Sequence, residues 1–109
     1  MGSRTLEVKI KVSQATASDS YESELPLDLN QLMVRHPAAT YFVRVESNGL
    51  DDLNIYSGDI LVVDRSLELY EKRIVVGVLD GEFVVRKIGL EKHTDFTVWG
   101  VITYIIHKV

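Results

Sequence analysis

Four aspartates crowd one part of the chain: Asp51, Asp52, Asp59 and Asp64. Carboxylates at such spacing can hold a divalent cation or share a proton for acid–base work. The commoner use of acids beside glycine is turn formation and helix capping, and three of these acids lie within "SNGLDDLNIYSGD", with Asp64 just beyond it. The three histidines, His36, His93 and His107, lie far apart without metal-ligand spacing. No cysteine is present, which excludes disulfides, thiolate catalysis and cysteine-based zinc sites. No serine occupies a nucleophile-elbow pattern, and "GVLDGEF" lacks the lysine and spacing of a phosphate loop. The residues by themselves therefore nominate no metal, no cofactor and no active site.

The elements that would position these groups are mostly β. "LEVKIKV" (6–12) alternates Leu6, Val8, Ile10 and Val12 with Glu7, Lys9 and Lys11, the pattern of a half-buried strand. "SQATASDSYESE" follows, polar and without period, and reads as an exposed arm. "LDLNQLMVRHP" is the helix candidate. Asp28 is placed to cap, Gln31 stands three residues on, and Leu29, Leu32 and Met33 share a face. Pro37 restricts His36 and predicts the helix end there. Such a short helix needs packing to hold it.

After Pro37 the runs "TYFVRV", "DILVVD", "RIVVGVL", "EFVVRKI" and "FTVWGVITYIIHKV" are rich in valine, isoleucine and aromatics. Asp80-Gly81 predicts a two-residue hairpin, and Ser57-Gly58 a turn before "DILVVD". Short strands at this spacing predict a compact β-fold closed on itself. The expected organisation is an N-terminal strand and arm over 1–27 and one β domain over 28–109.

Composition bounds the function. The chain has 109 residues, 46% hydrophobic and 26% charged, enough for one small domain with one core. Its formal net charge is −4, and lysine and arginine are scattered, which argues against direct nucleic-acid binding. No run approaches the roughly 18 apolar residues of a membrane span, and no signal-peptide pattern is seen, so a cytoplasmic setting is expected.

The stretch Asp28–Ile88, "LDLNQLMVRHPAATYFVRVESNGLDDLNIYSGDILVVDRS" and then "GVLDGEFVVRKI", resembles the UmuD family of SOS-mutagenesis proteins. These share their fold with the C-terminal domains of LexA and phage repressors. "LNQL…HPAATYFV" points to UmuD in particular, while "SGD-ILVVD" and "DGEFVVRK" are shared more broadly; "VWGVITYII" looks like the family's last strand. The resemblance implies a LexA/UmuD-like β-fold with one short helix and an N-terminal arm. It also implies self-cleavage: a Ser–Lys dyad of S24 peptidase type cuts the protein's own arm after contact with RecA on single-stranded DNA. The shortened form then dimerises and joins a Y-family translesion polymerase.

The resemblance carries over with two changes. The family's Gly-Asp-Ser-Met stretch falls on Ser47-Asn48-Gly49-Leu50, so Gly49 holds the nucleophile position. "VVRK" puts Arg86 at the position of the dyad lysine, with Lys87 next to it and, by strand alternation, on the other face. Glycine has no oxygen to attack a carbonyl. Arginine stays protonated where a desolvated lysine would lose its proton. Ser47 is two residues from the position, too far for a catalytic geometry that tolerates little misplacement. Between Ile88 and the last strand only "GLEKHTDFT" intervenes, where the family has roughly a further hairpin, and the arm has no Cys-Gly or Ala-Gly bond.

The expected function is that of a UmuD-like accessory subunit of an error-prone polymerase in the SOS response, not that of an enzyme. It would act as a homodimer through protein binding, with the RecA filament and a sliding clamp as further partners. The alternative is a RecA-stimulated self-cleaving serine peptidase with an atypical dyad. A repressor-derived dimerisation module would need a DNA-binding helix-turn-helix, for which the residues before Asp28 are too few.

Overall fold

The runs of β-branched and aromatic residues become strands close to where composition puts them. A computed structural model describes residues 12–14, 28–89 and 95–109. In chain order it contains strand β1 (Val12–Gln14), helix α1 (Leu29–Met33), β2 (Thr40–Arg44), β3 (Ile60–Asp64), β4 (Ile74–Leu79), β5 (Glu82–Lys87) and β6 (Thr97–Ile106). Single 3-10 turns lie at Pro37–Ala39 and Asp51–Leu53. Asp80 (φ +51°) and Gly81 (φ +80°) form the expected tight hairpin between β4 and β5, with Leu79 opposite Glu82.

All strands pair antiparallel in one sheet, in the order β1-β2-β3-β6-β4-β5. The last strand therefore lies in the middle. Its first half pairs with β4 and its second half with β3, and Val101 faces both Val75 and Asp64. Register shifts at Val62/Val63 and Val76/Gly77 flank this handover, and such irregularities bend a sheet. The sheet curls until its two wings share one core of Val43, Val45, Leu50, Ile55, Leu61, Val63, Val76 and Val85. Tyr41 of β2 and Phe83 of β5 both pack on Trp99, with ring centroids 5.2 and 5.5 Å away. The fold closes through side chains; among the described residues β1 and β5 are end strands that do not pair with each other.

Two expectations need correction. Ser13 and Gln14, read as the start of the arm, belong to β1 and pair with Phe42 and Tyr41. Backbone pairing at a sheet end makes no demand on side-chain polarity. Residues 6–11 of the alternating strand and the arm beyond Gln14 lie outside the described residues. The helix, expected to reach His36, ends at Met33. Asp28 does cap it, its Oδ1 accepting from the N–H groups of Asn30 (3.0 Å) and Gln31 (3.3 Å). Leu29 and Leu32 are 57% and 41% exposed, so the apolar face is not packed against the core.

Candidate functional site

Val45, fully buried just past β2, anchors a loop that runs to Asp59. The Val45 N–H donates to Asp59 O (2.9 Å), and the Gly58 N–H donates to Val45 O (2.7 Å), which pins the loop at its base. Leu50 and Ile55 plug the loop into the core, and the Ile55 N–H donates to Leu50 O at 3.2 Å. Between these plugs the chain makes its 3-10 turn and leaves it through Asn54 in the left-handed conformation. Gly49 sits just before the first plug at φ +99°, a backbone setting that favours glycine.

The other wall comes from β5, held by its ladder to β4 with Arg86 opposite Val75 and Lys87 opposite Ile74. Gly49, Leu50 and Asp52 from the loop, with Arg86 and Lys87 from the strand, line a cleft of about 310 Å³. The structure thus brings Gly49 and Arg86, far apart in sequence, to one place. Arg86 is half-buried, and its Nη1 donates to the Val85 carbonyl at 3.3 Å. Lys87, which alternation puts on the opposite face, is exposed and still contributes to the lining.

Ser47 is not among the described lining residues, and its Oγ is buried without a hydrogen-bond partner among the described residues. Among the described residues, the lining contains no serine, threonine, cysteine or histidine. The described lining therefore offers no hydroxyl, thiol or imidazole to attack or to relay a proton. The guanidinium supplies fixed positive charge and planar hydrogen-bond donors.

The aspartates are dispersed. Asp51 and Asp52 are exposed in the first turn of the 3-10 segment, while Asp59 and Asp64 are buried at the two ends of β3. Among the described residues, no three side chains of metal-ligating type converge. Each buried aspartate instead has its own histidine. Asp59 Oδ1 pairs with His107 Nδ1 at 2.6 Å, and its Oδ2 accepts from the Tyr56 N–H at 2.9 Å. Asp64 Oδ2 pairs with His36 Nδ1 at 2.7 Å, and its Oδ1 accepts from the Ser66 N–H (2.8 Å) and Oγ–H (2.6 Å). Sequence reading missed both pairs. The available signal was an acid at each end of the apolar run "ILVV"; nothing in the spacing pointed to the partners.

Burial raises the pKa of the Asp64 carboxyl, but the bonds from Ser66 and His36 outweigh it and hold it below the ordinary aspartate value. A carboxylate whose pKa is lower folded than unfolded stabilises the fold above the unfolded value and loses that contribution as pH falls through the folded one. The unfolding midpoint should therefore drop below about pH 4, and Asp64→Asn should flatten that acid limb. Melting curves between neutral and strongly acidic pH measure it; identical acid slopes in both proteins would count against the assignment.

The chain matches the Peptidase S24-like family over residues 8–97. It is 35% identical to Protein MucA of Salmonella typhimurium, over 88% of this chain and 78% of that protein. It is 34% identical to Protein SamA of Salmonella typhimurium (strain LT2), over 84% and 75%. Protein ImpA of Shigella flexneri is 33% identical, over 84% and 74%.

Proposed function

The chain belongs to the Peptidase S24-like family, among the UmuD-type SOS-mutagenesis proteins, and on that premise we propose that it works by association and not by cutting. In this reading it is an accessory subunit of an error-prone Y-family translesion polymerase in the SOS response. It acts as a cytoplasmic homodimer, with the RecA filament and a sliding clamp as further contacts.

The cleft carries the reading. We assign Gly49 to the position of the family's serine and Arg86 to that of its lysine. Their meeting across one cleft supports that assignment. A glycine carries no attacking oxygen and a guanidinium is no general base, so the two assigned positions lack the family's chemistry. The exposed apolar side chains Leu29, Leu32, Tyr104 and Ile106 are the kind of surface that association covers, which favours a binding role.

Immobilised on beads at micromolar concentration, the protein is expected to retain the Y-family polymerase of its own host from a purified mixture. Failure to retain it would remove the main support for an accessory subunit.

A further inference from the structure

The chain has three asparagines, Asn30, Asn48 and Asn54, and of these only Asn48 is followed by glycine. The amide carbon of an asparagine can be attacked by the backbone nitrogen of the next residue, which closes a cyclic imide. A side chain on that next residue crowds the attack, and glycine has none. Asn48 and Gly49 are both exposed and lie outside every helix and strand, so the backbone can turn toward ring closure without breaking a ladder.

The structure separates the three asparagines further. After Asn30, the Gln31 N–H donates to Asp28 Oδ1 at 3.3 Å in the first turn of α1. After Asn54, the Ile55 N–H donates to Leu50 O at 3.2 Å, and the branched Ile55 side chain is buried. Each of these nitrogens must leave a hydrogen bond before it can attack. Among the described residues, no acceptor holds the Gly49 N–H.

We propose that Asn48-Gly49 is a self-modifying junction that converts to isoaspartyl-glycine and reshapes the cleft wall. The Gly49 nitrogen loses its proton and bonds to Asn48 Cγ; the Cγ–Nδ2 bond breaks, and ammonia leaves with that proton. Water, the one co-reactant, then opens the imide. Opening at Cγ leaves aspartate. Opening at the main-chain carbonyl leaves isoaspartate, whose backbone runs through Cβ and Cγ and is longer by one carbon. Buried Val45 and Leu50 bracket the junction, so the added carbon displaces what lies between them, including Gly49 of the cleft lining. Either product also sets a new carboxylate one residue from a lining that carries Arg86 and Lys87. The chain keeps its full length, so the proposal stands apart from the question of cutting.

The test is peptide mapping of the folded full chain after prolonged warm incubation in weakly alkaline buffer, with isoaspartate read by an isoaspartyl methyltransferase and a labelled methyl donor. Asn48 is expected to convert at least about tenfold faster than Asn30 or Asn54, because attack depends on where the nitrogen is held. The intact mass should rise by about 1 Da, with the chain at the length of the uncut species. Asn48→Gln, whose longer side chain closes a less favourable ring, should lose both the mass gain and the methyl labelling. Matching NMR spectra away from the loop show that this variant is folded. The isoaspartyl form, separated by ion exchange, should show shifted amide signals at Gly49, Arg86 and Lys87, with those of β3 unchanged. Conversion of Asn48 only in urea, equal rates at the three asparagines, or undiminished labelling of Asn48→Gln would overturn the proposal. An isoaspartyl form with the parent's cleft signals would overturn it as well, since the junction would then leave the cleft wall as it was.

Discussion

Replacing Ile55 by alanine is expected to lower the unfolding free energy by about 2–5 kcal/mol. Ile55 is 1% exposed and is among the largest fully buried side chains of the described residues. It lies in the shared core with Leu50, Val45 and Val85, at the point where the cleft-forming loop meets both wings of the sheet. Truncation removes the transfer energy of three carbons and leaves a cavity that the surrounding valines cannot fill without backbone movement. Ile55→Val, which trims one methylene, should cost only about 0.5–1.5 kcal/mol. Urea denaturation with an unchanged m-value measures both. An alanine variant less than about 1 kcal/mol weaker than the parent would mean that the loop is not anchored in the core.

The second large expectation is a negative result with a physical cause. Gly49→Ser combined with Arg86→Lys puts the serine and lysine of the proposed dyad assignment at these two positions, yet self-cleavage is not expected to appear. At φ +99° a side chain at position 49 is strained, by about 1–2 kcal/mol on the scale of left-handed residues. The backbone must rearrange before the serine oxygen can face the cleft, and catalysis tolerates little error of position. A lysine at position 86 has a further obstacle. It must be desolvated to act as a base, and Arg86 is only half-buried. Intact mass spectra of the double variant are expected to show the uncut chain, with a melting temperature below that of the parent. Brisk cleavage would show that the cleft survives intact and that only two side chains had been lost.

Strands β2 to β6 were legible because each is an apolar run bounded by turn residues, and Asp80-Gly81 even specified the hairpin geometry. Their order in space was not legible. Nothing in "FTVWGVITYIIHKV" says that this last strand lies between β3 and β4, because sheet order depends on which faces bury one another. The helix was overextended for a related reason. Pro37 marks where a helix cannot continue, but Val34 is buried and leaves the helical path earlier. The shared face of Leu29 and Leu32 could be read from spacing, while the absence of a covering element in the described residues could not. Ser13 and Gln14 looked like arm residues because polarity was the only signal, and their strand is held by backbone bonds.

The candidate site divides in the same way. Residue types alone made "VESNGLDD" a turn followed by acids, and the positive φ of Gly49 agrees with a turn. That Arg86 belongs beside it came from the resemblance, and the structure puts both on one cleft. The histidine partners of Asp59 and Asp64 are distant in sequence and became visible only in three dimensions.

The central claim is that this chain keeps a self-cleaving scaffold without the cut. The most direct measurement is the intact mass of the arm-bearing chain after prolonged incubation at alkaline pH, with and without RecA filaments on single-stranded DNA. Alkaline pH favours any lysine base that remains. The account predicts one species at the mass of the uncut chain under every condition. A discrete shorter species that grows with time and disappears in Ser47→Ala would contradict it.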